Sequence, residues 1–228
     1  MKKYELFLFD ADGTLYDFYK AAEAALETMF RRHGFYYDET VWPIYNEINE
    51  RLWDSYDKGE IEKDNLKTLR FERLFNKLNI SCDEENFNEE FLKEIGRGAF
   101  LIDGAYEICE KIHRSGKRIY IVTNGFLAVQ ESRFTHSPIS EFISGFFVSE
   151  IVGHKKPDPE YFEYVFSNIP NADKSRTIII GDSLTSDISG GINAGIDTCW
   201  FNAAGVYNTT NITPTYEIKK LLDIINYI

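Results

Sequence analysis

Two carboxylates stand two residues apart directly after a short apolar run near the start of the chain. The run Leu6–Phe9 is followed by Asp10 and Asp12, and then by Gly13 and Thr14. Residues i and i+2 of an extended chain point the same way, so the two acids repel each other unless a cation or a proton relay uses them. The pattern therefore predicts a buried strand that ends in an acidic, sharply turning segment.

Two plainer explanations of this segment have to be weighed. An Asx-type turn after a strand also uses aspartate and glycine. A calcium-binding loop needs further acids and a glutamate within about twelve residues, and the stretch Leu15–Phe18 offers only Asp17. Alone, the segment leaves a structural turn and a catalytic role both open.

Composition narrows the class of protein. The chain has 228 residues, of which 43% are hydrophobic, so it is long enough for a sizeable core. Its net charge is −12 at pH 7, which disfavours binding to nucleic-acid polymers and anionic membranes. Small phosphates stay possible as ligands, because a bound cation and a few well-placed donors reverse the field locally.

The cysteines and the apolar runs indicate in which cellular compartment the protein is expected. Cys82, Cys109 and Cys199 are widely spaced and odd in number, which favours reduced thiols in a cytoplasmic protein. The apolar run near the start is cut by Asp10 and Asp12 and is too short for a signal peptide. No stretch approaches the length that spans a membrane.

The pattern from residue 100 onward alternates between short apolar runs and helical periodicity. Continuous apolar runs are typical of strands buried on both faces. Together with the first run they predict five strands, at Tyr4–Phe9, Arg118–Val122, Gly145–Val148, Thr177–Ile180 and Thr198–Phe201. Helices are predicted between them, over 105–112, from Pro159 to Ser167 and from Thr185 to about Ala194. This order predicts an α/β fold with a doubly wound, Rossmann-like parallel sheet.

Residues 16–99 contain no convincing strand. The segment from Ala21 to Glu27 is rich in strong helix formers, and Leu66–Leu78 has an apolar helical face. A segment of this length is too long for a loop. We therefore expect a helical domain over 16–99, inserted into an α/β core formed by 1–15 and 100–228.

Three further segments place polar side chains at predicted strand ends. Thr123 and Asn124 follow the second strand, at a helix start that suits an anion, although taken alone they favour ordinary helix capping. Lys156 and Lys155 follow the third strand, and a solvated turn is the alternative there. A lysine at this edge could neutralise two anions.

The last such segment follows the fourth strand. Asp182 comes directly after the strand and could complete a site for a hard cation with Asp10. Oxygen ligands beside a phosphate suit Mg²⁺. Asp187 could orient the water ligands of that cation or the lysine, and the alternative is that it favours a helix start.

The four segments, in this order, resemble the motifs of the haloacid dehalogenase (HAD) superfamily, and Lys156 beside Pro157 matches its lysine. The resemblance implies a core with strand order 5-4-1-2-3 and an inserted helical cap at 16–99. It also implies Asp10 as a nucleophile that forms an aspartyl-phosphate and Asp12 as general acid and base. Thr123, Asn124 and Lys156 would hold the phosphate. Mg²⁺ would be held by Asp10, the Asp12 carbonyl and Asp182, with Asp187 in a supporting position.

The segment from Ser186 to Asn202 is similar to bacterial pyrimidine 5′-nucleotidases of this superfamily. This implies a small phosphorylated metabolite, a nucleoside 5′-monophosphate, as substrate. A phosphosugar phosphatase or phosphomutase with the same core stays open, as does a catalytically silent phosphate-binding or signalling protein. Candidates to face the site from the helical segment are Tyr16, Tyr19, Asn46, Trp53 and Arg97, with packing or solvation as the alternative for each.

Overall fold

A computed structural model describes residues 4–227 of the chain. The strands are β1 Leu6–Phe9, β2 Arg118–Thr123, β3 Gly145–Val148, β4 Thr177–Gly181, β5 Asp197–Phe201 and β6 Tyr216–Ile218. The α-helices are α1 Phe18–Arg32, α2 Val41–Asp57, α3 Lys63–Leu78, α4 Glu84–Arg97, α5 Ala105–Arg114, α6 Leu127–His136, α7 Ser149–Val152, α8 Pro159–Ser167 and α9 Ser189–Ala194. Short 3₁₀ segments lie at Ser140–Phe142, Lys174–Arg176 and Leu221–Tyr227.

Within residues 4–227, six parallel strands form one sheet in the order β3-β2-β1-β4-β5-β6. The predicted order of the first five strands is confirmed. The sixth strand was not predicted, because Tyr216–Ile218 is only three residues long and alternates with polar neighbours. It pairs with β5 at the edge of the sheet.

The alternation of side chains along the strands divides the core into two layers. Phe7 and Phe9 of β1 pack on the side of α5, with Ile108 and Ile112. Leu6 and Leu8 point to the opposite face, where they pack with α8 residues such as Phe162. Because both faces of β1 are covered, the strand is apolar throughout.

The helices of this core begin and end where the local sequence favours it. Helix α8 starts at Pro159 with Glu160 in its first turn, a proline position that suits a helix start. Helix α5 carries Lys111, His113 and Arg114 in its last turn, where cations complement the helix dipole. The predicted helix from Thr185 to about Ala194 is instead a π-helical turn, Leu184–Ile188, followed by α9.

The chain divides into two compact units. One contains the described residues up to Phe18 together with those from Ala99 onward, and the other runs from Tyr19 to Gly98. Among its residues the second unit is helical, built from α1 to α4. Its interior is aromatic, with Phe71 centred 4.8 Å from Phe87 and 5.0 Å from Phe91.

The sequence predicts reduced thiols and contains no stretch of membrane-spanning length. Cys82, Cys109 and Cys199 are free thiols, and the last two are buried. Burial raises the pKa of both buried thiols to about 12. Across residues 4–227, no helix combines the length and apolar character needed to cross a membrane.

Candidate active site

Three strands deliver polar side chains to one edge of the sheet. In the parallel register Phe9 lies between Ile121 of β2 and Ile180 of β4. Asp10 continues β1 by donating its backbone N–H to the carbonyl of Ile180 at 2.9 Å. The side chains that follow these strands therefore meet at the carboxyl edge, where open α/β sheets bind ligands.

Lys156 connects the segments at this edge. Its ammonium donates to Asp10 Oδ1 at 2.6 Å, to Asp187 Oδ1 at 2.6 Å and to the carbonyl of Val122 at 2.7 Å. The side chain is 1% exposed. An ammonium has three N–H donors, so all of them are used, and one buried cation joins the ends of β1, β2 and the segment after β4.

The buried charges shift one another's protonation. Burial alone would lower the pKa of Lys156, but the carboxylates of Asp10 and Asp187 outweigh burial and raise that pKa above its ordinary value. Burial raises the pKa of Asp10 well above its usual range, with Asp187 and Asp182 adding to the effect and Lys156 opposing it. One cation is thus shared by more acids than it can fully neutralise.

Three carboxylates form a cluster able to hold a metal ion. Asp10, Asp182 and Asp187 each offer an oxygen, and these oxygens lie within 4.8 Å of one another. Loss of hydration at the strand end and the nearby Asp187 raise the pKa of Asp182 to about 7, although the residue as a whole is exposed. An all-oxygen donor set whose charges repel one another fits a hard divalent cation such as Mg²⁺.

The loop that carries Asp182 is held from two sides. The indole of Trp200 on β5 donates to the carbonyl of Asp182 at 2.8 Å. Asp187 Oδ2 accepts the backbone N–H of Ser183 at 3.1 Å. A Cβ at Gly181 would lie 2.2 Å from the Asp187 carboxyl carbon, so only glycine lets this carboxylate approach the strand end.

The turn after β1 also depends on a glycine. Gly13 has a φ of +85°, and a Cβ there would lie 2.4 Å from Asp182 Oδ2. Its N–H donates to the carbonyl of Tyr16 at 2.9 Å, and the N–H of Tyr16 donates to Ala11 at 2.9 Å. The closed turn fixes where Asp12 leaves the backbone.

Thr123 and Asn124 end β2 beside Lys156. Thr123 is 1% exposed, and its hydroxyl accepts the N–H of Gly125 at 2.9 Å. The Asn124 amide exchanges two hydrogen bonds with the backbone of Lys156, both at 2.9 Å, and donates to Ser186 Oγ at 3.3 Å. The Asn124 side chain therefore fixes the backbone of the loop that carries Lys156. This contact was not predicted from the sequence.

Asp12 has partners that sequence analysis missed altogether. Gln130 Nε2 donates to Asp12 Oδ2 at 2.6 Å, and the guanidinium of Arg133 pairs with Asp12 Oδ1. Both partners lie on the buried face of α6. Their spacing of three residues is that of an ordinary helix face, so the sequence contains no motif that marks them.

The remaining candidates are not members of the acidic cluster. His154 is exposed. Tyr16 is 1% exposed and belongs to the core, with its ring 5.4 Å from the Arg133 guanidinium. The other four candidates from the helical segment, Tyr19, Asn46, Trp53 and Arg97, belong to the second unit, and their facing the site stays a prediction.

The fold and the site define a class of α/β enzymes. Its members have a buried lysine and an acidic cluster able to hold a cation at the carboxyl edge of the sheet. The model of the haloacid dehalogenase-like hydrolases matches residues 4–195. The chain belongs to this family of hydrolases.

Several relatives match over nearly the whole chain. HAD-hydrolase YfnB of Bacillus subtilis is 38% identical, with 98% of this chain and 95% of the relative covered. The pyrimidine 5′-nucleotidases PynA of Streptococcus pneumoniae and YjjG of Escherichia coli are both 32% identical. The match to PynA covers 98% of this chain and 94% of PynA. The match to YjjG covers 97% of this chain and 96% of YjjG.

A crystal structure of the Bacillus subtilis protein YfnB, described as bound to magnesium, is also similar. It has a TM-score of 0.93 and 37% identity, with 99% of this chain and 98% of that chain covered.

We predict that Lys156→Met strongly destabilises the protein. The substitution leaves the carboxylates of Asp10 and Asp187 buried without their shared cation, and breaking a buried pair costs about 3–5 kcal/mol. Urea unfolding at neutral pH measures the change. Lys155→Met is the matched control, with an expected loss under about 1 kcal/mol. Equal stabilities of the two variants would contradict the central role of Lys156.

We also predict that Asp182 makes stability depend on pH. Its pKa of about 7 lies above the ordinary 3.8, so the folded chain retains a proton that the unfolded chain has lost. The resulting stabilisation is complete below the unfolded pKa and disappears as pH rises through 7.

The measurement is thermal unfolding of the chelated protein at about pH 5.5 and about pH 8. Asp182→Asn is the control and should show a smaller loss of stability over this interval. Mg²⁺ added at the higher pH should stabilise the wild type, because a ligand of the folded state raises its stability. A variant with the same pH dependence as the wild type would refute the assignment.

Proposed function

We propose that the protein is a Mg²⁺-dependent phosphomonoester hydrolase that acts through an aspartyl-phosphate intermediate on nucleoside 5′-monophosphates. The observation that carries the proposal is the bridge from Lys156 to Asp10 and Asp187, with Asp182 beside it. A carboxylate held in place by a buried cation, in an acidic cluster at the carboxyl edge, is suited to attack a phosphorus atom.

Asp10 is the proposed nucleophile. Its Oδ1 accepts from Lys156, which leaves Oδ2 to attack phosphorus while the ester oxygen departs. Water then attacks the phosphorus of the aspartyl-phosphate and frees Asp10 with inorganic phosphate. A carboxylate nucleophile divides one difficult displacement into two easier ones.

Lys156 acts mainly as a charge. Because its three N–H donors are taken by protein oxygens, it favours the approach of phosphate without a preformed direct bond. Thr123, at the end of β2, is the proposed hydroxyl contact to a phosphate oxygen, and Asn124 holds the lysine loop as well as lining the site. Fixed polar groups of this kind stabilise charge as it develops in the transition state.

Asp12 is the proposed general acid and base. It lies two residues beyond the nucleophile, on the closed turn that Gly13 and Tyr16 fix. It would give a proton to the leaving alkoxide and then take one from the attacking water. Expulsion of a halide needs no such proton, so an acid here favours phosphate esters over haloacids as substrates.

The acidic cluster is the proposed magnesium site. Asp10, Asp182 and the backbone carbonyl of Asp12 would hold the ion, and Asp187 would support it from beside Lys156. When bound, Mg²⁺ supplies positive charge that lets an anionic nucleophile approach an anionic ester. The magnesium described for the Bacillus subtilis relative supports this choice of ion.

Two observations support a nucleotide as the substrate. The relatives PynA and YjjG, named as pyrimidine 5′-nucleotidases, match this chain over nearly its full length. The segment 19–98 is helical and rich in aromatic residues, and as the proposed cap it could offer a ring for a base to stack on. Stacking tolerates base variation, so we expect a permissive enzyme.

We predict that Asp10→Asn abolishes turnover while the fold is kept. The amide cannot attack phosphorus, and the loss should exceed about a thousandfold in kcat, as when a covalent nucleophile is removed. Phosphate release and circular dichroism measure the two properties. Asp103→Asn, an exposed acid of the same unit, is the matched control and should keep full activity. A tenth of wild-type kcat, in a preparation free of deamidation, would refute the nucleophile.

The substrate prediction is tested by a panel. We expect kcat/KM to be highest for pyrimidine nucleoside 5′-monophosphates, measured with dUMP, dTMP, UMP and CMP against sugar phosphates and phosphoglycolate. If a sugar phosphate is preferred by more than about tenfold, or about 1.4 kcal/mol of transition-state stabilisation, the nucleotidase assignment fails and the phosphatase chemistry survives. Requirement for a bisphosphate activator would indicate a mutase, and no turnover of any ester would indicate a silent phosphate-binding protein.

A further inference from the structure

Asp12 is held at both of its carboxylate oxygens by side chains of one helix. Gln130 Nε2 donates to Oδ2 at 2.6 Å, and Arg133 pairs with Oδ1. A carboxylate bound at one oxygen can still swing about its side-chain bonds. Binding at both oxygens, from two residues three apart on α6, leaves it a single orientation.

The arginine has little other reason to be buried. Arg133 is fully buried, and two of its nitrogens, Nε and Nη2, have no hydrogen-bond partner among residues 4–227. Its guanidinium otherwise lies 5.4 Å from the centre of the Tyr16 ring. Since a buried cation with unused donors is costly, the pairing with Asp12 is the interaction that justifies its position.

The arrangement also reaches the end of β2. A Cβ at Gly125 would lie 2.5 Å from Gln130 Nε2 and 3.0 Å from Asp12 Oδ2. The contact between Gln130 and Asp12 therefore sits directly against the segment that contains Thr123. The orientation of Asp12 is thus defined relative to both the nucleophile strand and the proposed phosphate contact.

We propose that Gln130 and Arg133 are positioning residues, which hold the Asp12 carboxylate in the orientation needed to serve the leaving group. The inference rests on the proposed phosphatase function and extends it to residues that no motif marks. Neither side chain is assigned a contact with substrate. Both act through Asp12, so their effect should follow the chemistry that Asp12 performs.

This dependence gives a test that a purely structural role would not pass. An alkyl leaving group, such as a nucleoside, needs a well-placed acid, whereas 4-nitrophenolate departs with little help. Leaving-group release in a single turnover isolates the first transfer step. Gln130→Met keeps the length of the side chain and removes the donor.

We expect Gln130→Met to slow release of nucleoside from a nucleoside 5′-monophosphate by about tenfold or more, a loss of the size that small misplacements of catalytic groups cause. Release of 4-nitrophenolate should slow by less than about threefold, and KM should change little. Glu131→Gln, an exposed neighbour on α6, is the control and should match the wild type for both esters.

A double-mutant cycle then shows whether Gln130 works through Asp12. In the Asp12→Asn background, Gln130→Met should have almost no further effect, because residues in one network are not additive. Arg133→Lys, which keeps the charge, should retain more nucleoside release than Arg133→Met. If the Arg133 variants fail to fold, the double-mutant cycle of Gln130 and Asp12 still tests the inference.

The possible results distinguish a failure of the positioning role from a failure of the proposed phosphatase function. Equal slowing of both esters, additivity in the cycle, or no effect of Gln130→Met would overturn the positioning role while hydrolysis by the wild type stands. A wild type that releases neither leaving group would overturn the proposed function, and this inference with it.

Discussion

A single buried ammonium group organises the active end of this protein. Lys156 reaches the carboxyl edge from the loop after β3 and satisfies Asp10, Asp187 and the end of β2 at once. Its burial is tolerable because each N–H finds an oxygen. The Asn124 amide fixes the backbone from which the lysine extends. Asp10, the acidic cluster and the sheet therefore share one electrostatic centre, and none of these positions is independent of the others.

A second, separate contact network serves Asp12. The acids of the first turn are only two residues apart, yet they have different cations: Lys156 for Asp10 and Arg133 for Asp12. Separate partners let two neighbouring carboxylates occupy different environments, which is how such a pair takes on distinct chemical roles. Gly13, whose positive φ turns the chain directly after Asp12, closes the turn from which the Asp12 side chain extends.

Much of the core could be predicted because it follows from local sequence. The apolar runs gave five strands, and their parallel arrangement followed from the helices between them. Asp10, Asp182 and Asp187 were singled out by their places after strands, and Lys156 was chosen over Lys155 by its resemblance to the family's lysine. The structure brings all four together. Strand β6 was not predicted, because a segment of three residues is too short to show the hydrophobic pattern of a strand. Gln130 and Arg133 were not predicted, because each contacts Asp12 across more than a hundred residues of sequence.

The distribution of thiols has a consequence for chemical labelling. The two cysteines of the sheet unit, Cys109 and Cys199, are buried, and their pKa values of about 12 keep them protonated. Alkylating reagents attack thiolates, so both sheet thiols resist modification while the protein is folded. Cys82 is partly exposed and lies in the helical unit. Partial burial raises the pKa of the Cys82 thiol as well, but Cys82 is the most accessible of the three. We therefore expect a maleimide dye or spin label to react first on the helical unit of the native chain.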